Sequence, residues 1–444
     1  MNIVRRGAPS LVKRAMRSKR RQTPLFRGRE RYSASALARH AALGHQHWPQ
    51  AWRKAQPKKR YDVVIIGGGG HGLATAYHLA KDYGVTDVAV IEKGWIGGGN
   101  TGRNTTIVRS NYFYPESAAL YDFALQRYER LSQELNFNIM FSQHGVLGLI
   151  QSRHQMETAR RAYNAMLLNG VDCEFLDTEA VYQRAPALAC SGERRYPILG
   201  GLLQQRGGTI RHDAVAWGYA RAADRLGVDI VENCEVRGFT IRNGQITAIE
   251  SSLGEIACDK VAMAVAGNSS VVAAMAGVRL PITSYGLQAF VSEPVKPVLD
   301  CTLLTYASGV YVSQSDKGEL VVGQGLDRYP SYAQRGNTPV IEEAVAGLLD
   351  LFPQFDGLKL MRQWAGVVDV SPDSSPIIGK TPIENLYINC GFGTGGFKAI
   401  PAGGVLLAET ICSDRPHELA RPFSLQRFQT GRLIDEASAA GIPH

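Results

Sequence analysis

Tyr61-Asp62-Val63-Val64-Ile65-Ile66-Gly67-Gly68-Gly69-Gly70-His71-Gly72 is the stretch that decides the fold. Its β-branched apolar run suits a parallel strand buried on both faces. The glycines that follow keep the spacing Gly67-x-Gly69-x-x-Gly72. In that pattern the first glycine allows a tight turn, the second lets the backbone approach a pyrophosphate, and the third lets a helix pack closely on the strand. Leu73 to Ala80 supplies small residues fit for such a helix, and Val88-Ala89-Val90-Ile91 reads as the next strand. Together they make a βαβ unit of about thirty residues. Phosphates would sit at the helix N-terminus, where free N–H groups and the helix dipole favour negative charge. Glu92 lies 20 residues past Gly72, placed to accept hydrogen bonds from an adenosine ribose. An acid there disfavours NADP, whose 2′-phosphate needs a cation. These residues alone leave NAD and FAD open.

Outward from this unit, residues 94–110 form a flexible polar loop, Gly-Trp-Ile-Gly-Gly-Gly-Asn-Thr-Gly-Arg-Asn-Thr-Thr-Ile-Val-Arg-Ser. It is long enough to wrap a ring and a pyrophosphate. Glycines recur in Cys390-Gly391-Phe392-Gly393-Thr394-Gly395-Gly396-Phe397-Lys398, again ahead of a helix-like segment. Residues 117–135 and 155–168 carry helical spacing, and Asp213 is placed to cap a helix over 212–227. Short strands follow over 228–266, with a turn at Arg242-Asn243-Gly244, and 284–325 alternates as antiparallel sheet does, with Gly318 in a turn. The fold expected is α/β: a Rossmann-like dinucleotide-binding domain interleaved with an antiparallel-sheet substrate domain, the chain crossing between them more than once.

At 444 residues the chain exceeds what one core usually serves, and 45% apolar with 20% charged residues is ordinary globular composition. The net charge of +9 is uneven. Residues 1–60 hold 17 Lys or Arg and a single acid, Glu30, so the body from 61 onward is acidic. The extension reads as a solvated basic arm, with 1–30 disordered; its Arg-rich, acid-free start is also that of a transit peptide. Seven cysteines without a CxxC pair argue against a disulfide framework and a zinc cluster, and for a reducing, cytoplasmic setting. No apolar run is long enough to span a membrane. The arm lacks interleaved aromatics, so nucleic-acid binding is the weakest class.

The segments PKKRYDVVIIGGGGHGLATAYHLA, EKGWIGGGNTGRNTTIVRSNY, GGTIRHDAVAWGYARAAD, SQSDKGELVVG, GFGTGGFK and PFSLQRF resemble the flavin amine oxidases, the superfamily of glycine, D-amino acid and sarcosine oxidases. Over residues 31–444 the resemblance is to the β-subunit family of bacterial heterotetrameric sarcosine oxidases. Residues 1–30 are an addition to that pattern, or follow from a misplaced start. The resemblance implies non-covalent FAD, held by segments of about 61–110, 200–275 and 365–444. Segments of about 111–199 and 276–364 would then face substrate and a second flavin. FAD would be bound by Gly67, Gly69, His71, Gly72, Glu92 and Lys93, by Asn100, Arg103, Asn104 and Thr105 of the loop, and by Gly393, Thr394, Gly395 and Gly396. FMN would be attached covalently at His212, beside Arg211; a neutral imidazole is a competent nucleophile at neutral pH.

Arg109 and Lys398 match the cations that hold substrate carboxylate in single-chain sarcosine oxidases. The activity implied is oxidation of a secondary amino acid to an imine at FAD, with electrons passing to FMN and then oxygen. Partner α, γ and δ subunits are implied as well. Three positions depart from the pattern: Asn268, Tyr285 and Gly309 stand where histidines are usual, which leaves the exact substrate open. Ser371 stands where single-chain relatives tether FAD through Cys, in keeping with non-covalent FAD, and Phe392 replaces a more usual Trp. Two other readings remain: a free-standing FAD-dependent amino-acid dehydrogenase or oxidase, and a non-enzymatic binding protein that uses the basic arm.

Overall fold

The computed structural model describes residues 34–434 apart from 47, 49 and 191–193. The expectation for residues 1–30 therefore lies outside the described residues. Strand Arg60–Ile66 forms as expected, and every residue from Val63 to Ile66 is buried. It pairs in parallel with Val88–Ile91 on one side and Gly254–Met263 on the other. Asp229–Val231 extends the sheet past Val88–Ile91, and Leu386–Cys390 extends it past Gly254–Met263. Ile377–Lys380 closes that edge antiparallel, while Val236–Arg242 and Gln245–Ser251 form a hairpin off Gly254–Met263. The hairpin turns at Asn243 and Gly244, with φ of 51° and 75°.

Helices Gly70–Tyr83, His212–Arg225 and Ile400–Ser413 pack together over this sheet, sharing one apolar core with its strands. Close crossing needs small residues: a Cβ on Gly404 would lie 2.5 Å from that of Ala74. The second sheet is mainly antiparallel, in the order Leu360–Val370, Thr283–Pro294, Glu319–Pro330, Tyr311–Gln314, Thr302–Thr305, Val146–Ile150, Gly200–Gln204 and Glu174–Leu176. Among the described residues, only Thr302–Thr305 with Val146–Ile150 pairs in parallel within this sheet. Successive segments alternate between the two sheets, so the chain crosses repeatedly, as the interleaved reading expects. The crossings differ in detail. Gly200–Gln204 still belongs to the antiparallel sheet, and Leu360–Val370 runs in it on both sides of residue 365.

Helices Pro115–Leu135 and Arg153–Leu168 cover the two helical stretches read from spacing. Asp213 corrects the sequence reading, because the helix begins at His212 and leaves it inside the first turn. There it accepts from the Ala214 N–H at 2.8 Å and pairs with Arg211 at 2.8 Å, rather than capping. Part of the basic extension is also docked. Arg53 pairs with Asp224 at 2.7 Å, Lys58 pairs with Asp87 at 3.1 Å, and Trp52 packs on the main core. No described helix is long and apolar enough to cross a membrane.

The turn after Leu360–Val370 is fixed by a buried ion pair. The Arg427 fork donates to both oxygens of Asp373 at 2.7 and 2.8 Å, and the Ile434 N–H adds a third contact. Burial alone would raise the Asp373 pKa, but the Arg427 hydrogen bonds and charge hold it below the usual carboxylate value. Its contribution is therefore present above the unfolded carboxylate pKa and is lost as pH falls through the lower folded value. Asp373→Asn would leave the guanidinium buried without its counter-charge, a loss of about 3–5 kcal/mol. A lowered melting temperature at neutral pH, with the gap to wild type narrowing in acid, is the expected outcome.

Candidate active site

Gly67 ends the first strand with φ of 109°, and a Cβ there would sit 2.4 Å from the Ala264 carbonyl oxygen. A Cβ on Gly72 would come within 2.0 Å of the Gly67 oxygen. No side chain fits either place, so the turn and the helix stay in contact. Helix Gly70–Tyr83 starts from Gly69 without a side-chain cap, and its first residues line a cavity of about 290 Å³ between the two layers. Gly67, Gly69 and His71 line that cavity, as do Glu92 and Lys93. Gly72 does not; its part is the packing behind the turn. The Glu92 carboxylate accepts the Gly68 N–H at 2.8 Å and the Gly94 N–H at 2.9 Å, so it braces the turn and the following loop as well.

The polar loop lies across the cavity. Thr101 accepts the Gly70 N–H at 3.0 Å, covering the helix start. Asn100 accepts the Val367 N–H at 2.9 Å and donates back to the Val367 carbonyl, as one strand pairs with another. Trp364 donates to the Arg103 carbonyl at 2.7 Å. Through these bonds the loop joins the dinucleotide layer to the antiparallel sheet. Asn100, Arg103 and Asn104 line the cavity, whereas Thr105 is outside the lining.

Gly393, Thr394 and Gly396 line the far wall with Phe392, while Gly395 is packed so tightly that a Cβ would meet the Tyr121 hydroxyl at 2.1 Å. Lys398 follows, buried, and donates to the Thr394 carbonyl at 3.3 Å. Burial drives its pKa well below the ordinary lysine value, and the nearby Arg109 guanidinium lowers it further. Arg109 itself donates to Asn111 at 2.7 Å and stacks over Tyr112 at 5.0 Å. The fold thus brings Arg109 and Lys398 together from 289 residues apart in sequence, just beyond the cavity lining. Two neighbouring cations, one of them desolvated, make a place for an anion.

His212 lies elsewhere, at the first position of its helix. It is partly buried, and Nδ1 has no hydrogen-bond partner among the described residues. Burial lowers its pKa, which keeps the ring neutral at pH 7. Arg211 pairs with Asp213, and neither Arg211 nor His212 lines the cavity.

Several lining residues escaped the sequence reading. Cys234 to Val236, Ala264 to Ala266, Val271 and Met275 contribute backbone or apolar surface. Asp369 and Asn389 are buried polar residues inside strand patterns. Asp369 accepts the Gly391 N–H at 2.5 Å, and burial pushes its pKa up to about 7. Of the three departures, Asn268 lines the cavity, while Tyr285 lies in strand Thr283–Pro294 and Gly309 in a turn, both outside the lining. The Ser371 hydroxyl is taken up by Ser375 at 2.7 Å.

Residues 62–410 match the family model described as DAO, FAD dependent oxidoreductase. The chain belongs to this family, among the β subunits of sarcosine oxidase. It is 51% identical to sarcosine oxidase subunit beta of Rhodobacter capsulatus, over 93% of this chain and 100% of that one. Against the same subunit of Rhizobium meliloti it is also 51% identical, over 93% and 99%. L-proline dehydrogenase from P. horikoshii is similar in structure, with a TM-score of 0.79 and 28% identity, covering 85% of this chain and 100% of that one. Glycine oxidase from Geobacillus kaustophilus shares the fold at a TM-score of 0.75 and 22% identity, over 83% and 99%.

The residues present fit FAD. A helix N-terminus opens on the cavity with its Gly70 N–H held by Thr101, and the two glycines behind it admit no Cβ. Gly72→Ala forces the helix off the turn. A folded protein with FAD affinity at least about tenfold weaker is the expected result, read as the flavin-to-protein ratio after dialysis.

Proposed function

We propose that this chain is the β subunit of a sarcosine-oxidase-type complex, oxidising the N-methyl C–N bond of sarcosine or a related secondary amino acid to an imine. The observation that carries this reading is the pairing of Arg109 with buried Lys398 beside the cavity, in a chain 51% identical to sarcosine oxidase β subunits. FAD supplies the two-electron acceptor for that oxidation. The chain's own residues bind and orient. Gly67, Gly69, Glu92 and Lys93 with Asn100, Arg103 and Asn104 would hold the dinucleotide, together with Gly393, Thr394 and Gly396 of the far wall. We assign the dinucleotide-binding role to segments of about 61–110, 205–275 and 371–444, and the substrate side to the rest of the body.

Arg109 offers a planar fork to a carboxylate and Lys398 a point charge, so the two together fix the acid end of an amino acid. Tyr112 beneath the guanidinium and Asn111 beside it limit where that fork points. Once the carboxylate is seated, the remaining positive charge disfavours an ammonium nearby and shifts the substrate amine towards the neutral form that can be oxidised. Asn268, where the family pattern has histidine, lines the cavity and is the position to vary when comparing N-alkyl substrates.

His212 is the proposed attachment point for a covalent FMN. Its neutral ring and unpartnered Nδ1 support this role. The chemistry FMN supplies there is electron traffic from FAD to oxygen. Partner α, γ and δ subunits and a cytoplasmic setting complete the reading.

Acid precipitation of the purified complex, followed by mass spectrometry of the tryptic peptide holding His212, tests the second flavin. An FMN-sized mass increase is expected; flavin released entirely would favour a single-flavin enzyme. Lys398→Met and Arg109→Met should each weaken sarcosine binding by about 10- to 100-fold, as measured by anaerobic titration, while FAD content stays at the wild-type level.

A further inference from the structure

His71 and Asn389 come from different ends of the chain and meet in the wall of the cavity. His71 Nε2 lies 2.8 Å from the Gly396 carbonyl oxygen, which can only accept, so this nitrogen carries the ring proton. Nδ1 is then a bare acceptor, 3.1 Å from Asn389 Nδ2. The contact settles which way the Asn389 amide faces. Its NH2 end must point at His71, because a carbonyl oxygen there would oppose a lone pair. Asn389 Oδ1 is left on the other arm. That oxygen is buried and has no hydrogen-bond partner among the described residues, although Asn389 is only 2% exposed. A buried acceptor without a donor is costly, and in the wall of a cavity the donor comes from a water or a ligand.

The surroundings are built for this pair. Phe392 stacks on the His71 ring at 4.5 Å, and burial holds the ring neutral, with its pKa down at about 4. On the other side passes helix Ile400–Ser413, with Gly403 in its first turn. A Cβ on Gly403 would lie 2.6 Å from His71 Nδ1 and 2.9 Å from Asn389 Nδ2. Glycine is a poorer helix former than alanine, and here it keeps the space in which the pair meets.

The geometry points to Asn389 as a direct hydrogen-bond acceptor for the bound FAD, with His71 as the positioning residue that turns its amide oxygen to the cofactor. The donor is a hydroxyl or ring N–H of the dinucleotide. The inference rests on the FAD reading above and adds a contact that the glycine turn does not supply.

The test is calorimetric titration of FAD into the full chain, in the assembly as purified and stripped of non-covalent FAD. Wild-type protein that takes up no FAD would count against the FAD reading itself. With wild-type binding in hand, Asn389→Leu should raise the dissociation constant about tenfold or more, while the apoprotein melting temperature stays within a few degrees. Should the leucine variant fail to fold, Asn389→Ala replaces it. His71→Leu should weaken FAD binding at least about threefold, and His71→Asn, which restores an acceptor at the Nδ1 position, should recover most of that loss. Recovery by His71→Asn is the readout that a purely structural role for His71 would not give. An Asn389→Leu protein that folds and binds FAD within about twofold of wild type overturns the assignment. Full loss in Asn389→Leu with none in His71→Leu overturns the positioning role.

Discussion

The contact between Gly72 and the Gly67 carbonyl is the constraint from which the rest follows. With only hydrogens between them, strand Arg60–Ile66 and helix Gly70–Tyr83 meet so closely that the helix N-terminus opens straight onto the end of the sheet. The helix start lines a cavity, with its Gly70 N–H held by Thr101, and a dinucleotide phosphate placed there would gain the helix dipole. Glu92 depends on the same geometry. It can hold the Gly68 and Gly94 N–H groups together because the turn brings Gly68 to the end of the second strand, where Gly94 follows Glu92. Helix Ile400–Ser413 then packs against the dinucleotide helix through Gly404 and Ala74, which carries the 393–398 loop to the cavity's far wall.

One layer alone would leave that cavity an open groove. The antiparallel sheet closes it, held there by side chains of the 94–110 loop and of the sheet itself. Asn100 exchanges two hydrogen bonds with Val367, and Trp364 reaches the Arg103 carbonyl. Beyond this seam sit Arg109 and Lys398, with Lys398 stripped of water and Arg109 stacked on Tyr112. An anion placed there would meet two charges at low local dielectric, where each is worth more than at an exposed surface. The 94–110 loop thus runs from the cavity wall to Arg109, while Lys398 reaches the same place from the 393–396 loop.

The nucleotide-binding half could be read in the sequence because its signals are local. A β-branched run, three spaced glycines and an acid about twenty residues on all fall inside one βαβ unit, each required by backbone geometry. The cavity's other walls carry no such signal. Val236, Ala264 and Met275 line it as ordinary apolar residues, and only tertiary packing selects them. Asp369 and Asn389 are single polar residues within strands, which sequence pattern cannot tell from exposed ones. Asp213 was misread because an acid just inside a helix and an acid just before it look alike until the helix start is known. The docking of Arg53 and Lys58 was hidden for a similar reason, since their acidic partners lie 171 and 29 residues away. Pairing Arg109 with Lys398 came from resemblance, and their proximity emerges only in the folded chain.

Anaerobic mixing of the purified complex with sarcosine, with the absorption of bound FAD followed in time, tests the central claim most directly. The account predicts that the oxidised-flavin spectrum is lost within the time of one turnover, because amine and FAD share one site. FAD that stays oxidised under saturating sarcosine and other N-methyl amino acids would contradict it.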